Sequence, residues 1–132
     1  MKQKIIIQDI DLPKADKIKD DVKWICESLG FMSGRDTEYT SFKIMFKLLQ
    51  EFRNDEIIAT ETIARSLRLE PPTVNHHLRN LLETGVIVRE KRKVVLRGGS
   101  LSSAIEEMRR DSDRLFERVL EIAKKIDEEM GF

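Results

Sequence analysis

The chain has 132 residues, of which 36% are charged, and its 24 lysines and arginines balance 24 aspartates and glutamates. That length suffices for one domain with a hydrophobic core, or for a small domain with an extension. A net charge of zero gives no overall preference for nucleic acid, so any preference must come from the local distribution of charge. The single cysteine, Cys26, excludes an intramolecular disulfide, and a reducing interior is the usual setting for such a chain.

The first 36 residues predict a short strand followed by a helix. The isoleucine-rich run 4–10 is typical of a β-strand and is ended by Asp11 and Pro13. It is too short for a signal peptide or a membrane span, so we expect a soluble, cytoplasmic protein without a membrane partner. From Lys14 onward, apolar residues recur at helical spacing as far as Gly30, which is a typical helix stop.

The next part of the chain predicts two helices separated by polar residues. After a loop expected at 32–39, apolar residues at helical spacing predict a helix over about 40–53. A shorter helix follows, for which Thr60 is the expected N-cap.

A double proline at 71–72 starts the next helix, because proline is accepted in the first turn of a helix and not in its interior. This helix is expected over 72–84 and stops at Gly85. The β-branched runs on either side of Lys91 and Arg92 predict a β-hairpin with a tight basic turn.

The segment 100–132 has one continuous helical pattern. Its apolar residues recur at intervals of three and four over nearly four heptads, interrupted by Ser112. A helix of about 30 residues is roughly 45 Å long, which exceeds a small domain. We therefore expect its apolar stripe to pack with a second copy and with the helix at 14–29. The predicted dimerisation residues are Leu101, Ile105, Met108, Leu115, Val119, Ile122 and Ile126.

The two histidines, His76 and His77, are adjacent in the predicted helix 72–84. On a helical wheel they point in different directions, whereas metal ligands on one helix usually lie three or four residues apart. The sequence offers no orienting partner for acid–base chemistry, no phosphate loop and no nucleophile elbow. We therefore expect no metal site, no cofactor and no enzymatic activity. We expect His77 to be a half-buried packing residue and His76 to be exposed.

A short helix, a tight turn, a second helix and a basic hairpin are typical of a winged helix-turn-helix, in which the second helix enters the major groove of DNA. Small polar and basic side chains on the outer face of that helix can meet base edges and phosphates. The residues expected to read the groove are Thr73, Asn75, His76 and Arg79, and those expected to contact the DNA backbone are Arg65, Arg68, Arg89, Lys91, Arg92 and Lys93.

The local distribution of charge agrees with this interpretation. The segment 85–99 contains five basic residues and one acidic residue, whereas 100–132 contains six basic and nine acidic residues. Positive charge is therefore concentrated at the predicted hairpin, where phosphate contacts are expected.

The sequence TETIARSLRLEPPTVNHHLRNLLETGVIVRE resembles the DNA-binding core of ArsR-type winged-helix transcriptional regulators. The matching residues are Thr73, Val74, His76, His77, Leu78, Leu81, Gly85, Val86 and Ile87, with Asn75 where serine is common. The resemblance covers about 57–97, and MarR-like and other winged-helix groups share parts of it. It implies a homodimer that binds a pseudo-palindromic operator and represses transcription. The paired cysteines of metal-sensing members are absent, so it implies a non-metal member whose effector is unknown.

Three parts of the chain are therefore predicted, within a mainly α, α+β winged-helix fold class. They are a strand and helix at 1–36, a winged helix-turn-helix DNA-binding domain at 37–99 and a long dimerisation helix at 100–132. The predicted partners are double-stranded DNA and a second copy of the chain. The main alternative is a winged-helix module that docks on protein in a transcription or translation assembly, because the net charge of zero leaves that possibility open.

Overall fold

The computed structural model describes residues 2–32, 36 and 38–132. The predicted loop at 32–39 falls largely outside them. The helices are α1 (Ile18–Ser28), α2 (Thr40–Phe52), α3 (Thr60–Leu67), α4 (Pro71–Thr84) and α5 (Leu101–Met130), and the strands are β1 (Ile57–Ala59), β2 (Ile87–Glu90) and β3 (Lys93–Leu96). A 3₁₀ turn at Arg97–Gly99 joins β3 to α5. The described residues thus form the predicted α+β winged helix.

The three strands form an antiparallel sheet in the order β1-β3-β2. The hairpin turns at Lys91 and Arg92 as predicted, and Lys91 adopts a left-handed backbone with φ of 60°. The backbone N–H of Thr60 donates to the Arg92 carbonyl at 3.1 Å, and the Thr60 hydroxyl donates to the same oxygen at 3.3 Å. The tip of the hairpin is therefore hydrogen-bonded to the first residue of α3.

The hydrophobic core lies between α1, α2, α3, α4, the sheet and the first part of α5. α4 contributes Val74, Leu78 and Leu81, all of which are fully buried. Burying a side chain such as Leu78 contributes about 1.5–3 kcal/mol relative to leaving it in water. α4 ends at Gly85, whose φ of 89° is the left-handed conformation that glycine adopts at helix C-termini.

Residues 4–10 form no strand, so the predicted strand there is wrong. Their backbone binds the ends of helices instead. Lys4 N–H donates to the Glu83 carbonyl at 3.0 Å, and Gln8 N–H donates to the Ser28 carbonyl at 2.8 Å. The last carbonyls of a helix have no partner within the helix, which makes them available to a passing chain.

Two helix starts differ from the prediction and one agrees with it. α1 begins at Ile18 rather than Lys14. Thr60 is the first residue of α3 rather than its N-cap, a position held by Ala59, because the Thr60 hydroxyl is bound to the hairpin. Ser100 caps α5 as predicted, since its Oγ accepts the backbone N–H of Ser103 at 3.1 Å.

α5 divides into a packed part and an exposed part. Its buried residues are Ala104, Met108 and Asp111, and from Ser112 onward no residue of the helix is buried. Its large exposed apolar residues are Phe116, Val119, Leu120, Ile122, Ile126 and Met130. Although α5 is long, neither it nor any other helix of the described residues combines the length and hydrophobicity needed to cross a bilayer.

The predicted dimerisation residues divide in the same way. Met108 is only 3% exposed and belongs to the core of its own chain. Leu101 and Ile105 pack partly against the same core. The heptad spacing is uniform along the helix and therefore could not reveal where the core ends.

Replacing Gly85 by alanine should destabilise the fold more than replacing Gly99. Both glycines have positive φ, 89° and 83°, and an alanine there costs about 1–2 kcal/mol. A Cβ on Gly85 would also lie 2.8 Å from Gln3 Nε2 and 3.0 Å from Arg97 Nη1, whereas a Cβ on Gly99 meets nothing within 4 Å. We expect Gly85→Ala to lose about 1–3 kcal/mol more than Gly99→Ala in urea unfolding. Equal losses would contradict the crowding at Gly85.

Candidate nucleic-acid interface

The outer face of α4 is polar and exposed. Rotation about the helix axis is fixed by the burial of Val74, Leu78 and Leu81 on the opposite face. The four residues predicted to read a groove, Thr73, Asn75, His76 and Arg79, are all exposed. They include hydroxyl, amide, imidazole and guanidinium groups, which can donate to or accept from base edges.

The helix that precedes α4 carries two of the predicted backbone contacts. Arg65 is exposed and forms a 3.4 Å ion pair with Glu61 one turn earlier. Such an exposed pair contributes little stability, so a phosphate can displace Glu61 at small cost. Arg68 is the C-cap of α3 with φ of 56°, and it begins the turn that leads to Pro71. Arg68 is also exposed.

The hairpin tip is the most basic part of this surface. Arg89, Lys91, Arg92 and Lys93 are all exposed, together with one acidic residue, Glu90. Arg89 Nη1 donates to the Lys91 carbonyl at 3.4 Å. Since the Arg92 carbonyl is held by Thr60, the tip has a fixed direction relative to α3 while its cationic side chains point into solvent.

Arg97 was counted with the positive charge of the hairpin, but it does not belong to that surface. Its Nε lies 2.7 Å from Glu107 Oε2, and its guanidinium also binds the Asp111 carboxylate. The hydrogen bond from Arg97 lowers the pKa of Asp111 despite its burial, with further help from Gln3 and from the charges of Arg97. Within the segment 85–99, the basic residues available to phosphates are therefore the exposed ones of the tip.

His77 packs inside the domain as predicted and does not share the exposed face. It is half-buried, and its Nδ1 is hydrogen-bonded to Ser41 Oγ at 2.7 Å. Burial lowers the pKa of His77, the nearby Asp36 opposes this shift, and His76 adds to it. Asp36 itself accepts the backbone N–H groups of Thr40 and Ser41, each at 2.8 Å.

The two histidines touch although the helical wheel places them in different directions. Their ring centroids are 5.4 Å apart in an edge-to-face arrangement, because both side chains are long enough to bridge the angle between adjacent positions. Nδ1 of His77 is already hydrogen-bonded to Ser41. Within residues 2–32, 36 and 38–132, no three His, Cys, Asp or Glu side chains are grouped so that they could hold a metal ion.

The lone cysteine lies away from this surface. Cys26 is fully buried, and desolvation, with a smaller effect of Glu27, raises its pKa to about 12. A buried thiol with so high a pKa is chemically inert at neutral pH.

Comparison with known families agrees with this geometry. Residues 42–88 match the family model of the winged helix-turn-helix DNA-binding domain. The chain carries a winged helix-turn-helix. The matched residues run from α2 through α4 to the first strand of the wing, as the hairpin β2–β3 is called in this fold. No curated protein and no solved structure gave a significant match to the chain.

The winged helix-turn-helix match supports a DNA-binding regulator. In winged-helix folds the helix in the position of α4 is called the recognition helix. Sequence reasoning found its exposed face and the wing, because both have a periodic pattern. It missed strand β1 and the contacts of Gln3, Arg97 and Asp111, which come from distant parts of the chain.

Acid should destabilise this domain through His77. The unfolded chain carries a histidine of ordinary pKa, 6.5, whereas the folded pKa is lower, so the unfolded state takes up the proton first as pH falls. The stability contributed by neutral His77 is therefore full above pH 6.5 and is lost as pH falls from there toward the folded pKa. We expect this loss in urea unfolding midpoints measured from about pH 7.5 to about pH 5.5.

The adjacent histidine provides the control for this pH dependence. His77→Asn should flatten the dependence near neutral pH, while His76→Asn, which changes an exposed ring, should keep most of it. If wild type and His77→Asn show the same slope, the lowered pKa of His77 is not the cause.

Proposed function

We propose that this chain is a homodimeric, sequence-specific DNA-binding transcriptional regulator of the ArsR-like class. The observation that carries the proposal is the exposed polar face of α4 beside an exposed basic wing, in a domain that matches a DNA-binding family. A polar recognition face can read base edges, while the basic tip binds phosphates and sets the register on the duplex.

In this proposal the residues divide by role. Thr73, Asn75, His76 and Arg79 read the major groove, and Arg89, Lys91, Arg92 and Lys93 bind phosphates, with support from Arg65 and Arg68. Phosphate contacts raise affinity for every sequence, whereas contacts to base edges discriminate between sequences. The two groups can therefore be separated by experiment.

The exposed stripe of α5 supports the dimeric part of the proposal. Val119 is 63% exposed and Ile122 is 58% exposed, although their heptad spacing is that of a packed helix. Each such side chain contributes about 1.5–3 kcal/mol when fully buried, so several together can hold two copies. A second copy of α5 supplies a stripe of the same spacing, and two-fold symmetry suits a palindromic operator.

The ArsR-like class is proposed from the sequence of α3, α4 and β2. The match includes the adjacent histidines, the apolar residues Leu78 and Leu81, and the terminal Gly85. α3 carries no cysteine, so the proposed regulator responds to a signal other than a metal ion bound at paired cysteines.

A charged residue in the α5 stripe should prevent dimerisation. We expect Val119→Glu to sediment as a monomer at micromolar concentration, because a carboxylate in an apolar seam lacks a partner. The matched control is Lys124→Glu, which introduces the same side chain at an exposed position on the other side of the helix. A monomeric wild type, or a dimeric Val119→Glu, would contradict the seam.

The wing should govern the salt dependence of DNA binding. Arg92→Ala should weaken binding to every duplex sequence and reduce the slope of log affinity against log salt by about 1. Lys124→Ala removes the same charge from α5 and should leave the slope unchanged. Gel-shift titrations over a salt series measure both variants, and equal slopes for Arg92→Ala and wild type would remove the wing from the interface.

Selection from a random duplex pool tests the proposed function itself. Wild type should enrich two related half-sites. Asn75→Ala should enrich a different base at one position of the half-site. Arg92→Ala should enrich the wild-type sequence but bind it with lower affinity. A protein that docks only on other proteins would enrich no sequence and show no salt-dependent affinity for duplex DNA. That result would favour the interaction-module alternative.

A further inference from the structure

Side chains from three segments of the chain donate to the carboxylate of Asp111. Gln3, from the N-terminal segment, donates to Oδ2 at 2.7 Å. Arg97, at the end of the wing, donates to Oδ1 at 3.1 Å and also to Oδ2. Arg114, on α5 itself, donates to Oδ1. Gln3 also reaches the last turn of α4, where it donates to the Thr84 carbonyl at 3.2 Å.

The N-terminal segment and Arg97 thus form hydrogen bonds to both the end of the recognition helix and α5. Lys4 N–H binds the Glu83 carbonyl at 3.0 Å, and Arg97 Nη1 lies 3.5 Å from the Gly85 carbonyl. Gly85 at this junction has φ of 89°, which favours glycine, and a Cβ there would crowd the side-chain ends of Gln3 and Arg97. The junction is therefore closely packed.

Asp111 is also the last buried residue of α5. It is 3% exposed, and the residues 112–130 that follow are all at least partly exposed. That remaining part of the helix extends roughly 28 Å at 1.5 Å per residue, so a tilt of about 10° moves its far end by about 5 Å. Asp111 is thus the last point at which α5 is held against the domain, after the buried Ala104 and Met108.

We propose that Asp111 is a positioning residue that fixes the direction of α5 relative to α4, and thereby sets the separation of the two recognition helices in the dimer. This inference rests on the proposed function, because it needs two copies joined through α5. Recognition helices of a dimer must be spaced to match successive turns of the major groove, roughly 34 Å apart. A carboxylate with partners on the N-terminal segment, at the end of the wing and on α5 itself can hold such a spacing.

The alternative is that Asp111 only stabilises the fold. Removing one partner of a buried charged network destabilises a protein in either case, so a lower unfolding midpoint does not distinguish the two roles. The separation of the two α4 helices in the dimer does. It can be measured without DNA, because Cys26 is buried and unreactive, which allows one introduced cysteine to be labelled selectively.

The test introduces Arg79→Cys at an exposed position of α4 and attaches a spin label to it. The distance between the labels of the two copies is then measured in the dimer. Asp111→Asn keeps the size of the side chain and removes its charge. Asp113→Asn makes the same change at an exposed position of α5 and is the matched control. We expect one narrow distance distribution for the parent protein and for Asp113→Asn, and a shifted or clearly broader distribution for Asp111→Asn.

Identical distributions for Asp111→Asn and Asp113→Asn would overturn the inference, as would a monomeric parent protein without dipolar coupling. If Asp111→Asn loses its cooperative unfolding transition, the same comparison is made with Gln3→Ala, which removes a single donor. A distribution of Gln3→Ala that is unchanged from the parent protein then overturns the inference.

Binding to duplexes with variable half-site separation extends the test to DNA. Asp111→Asn should bind a single half-site within about twofold of wild type and bind the preferred separation about tenfold more weakly, because the competent spacing is populated less often. An unchanged separation profile would contradict the proposed role of Asp111. A wild type that binds no duplex, together with shifted label distances, would contradict the proposed function while leaving the positioning role supported.

Discussion

The apolar face of α4 can be buried in only one rotational setting, and that setting determines which of its side chains remain in solvent. Val74, Leu78 and Leu81 are in contact with the core, and rotating the helix would expose them at a cost of about 1.5–3 kcal/mol each. The polar face is therefore exposed because the opposite face packs in the core, and not because the polar side chains make contacts that hold them there. Residues of that face are free to vary in sequence without changing the fold.

Elements with a regular pattern were predicted well from the sequence. The spacing of apolar residues predicted α2, α4 and α5, and proline and glycine marked the two ends of α4. The β-branched runs predicted the wing and its turn. β1 was missed because it has only three residues, Ile57–Ala59, and is stabilised by pairing with β3 rather than by any local preference. The run 4–10 is the opposite case. Its composition favours a strand, but it pairs with no strand of the sheet.

The contacts that join distant segments could not be predicted in the same way. Gln3 and Asp111 are separated by nearly the whole chain. Arg97 lies in the basic hairpin segment of the sequence, but its guanidinium binds Asp111 of α5. Pairing between such residues depends on the tertiary arrangement, which a periodic pattern does not specify. His77 was placed correctly at the edge of the buried stripe, but its partner Ser41 lies on α2 and gives no signal in the sequence. The exposed part of the candidate site was thus predictable, and its buried supports were not.

The segregation of charge between the wing and α5 has a consequence for how the molecule approaches other charged bodies. The segment 85–99 has five basic residues and one acidic residue, while 100–132 has nine acidic and six basic. A protein of zero net charge with this arrangement has an electric dipole, and the field of a polyanion orients such a dipole with its positive end toward the polyanion. The molecule would therefore turn its wing toward a polyanion before contact, and added salt would weaken this orientation as well as the final binding.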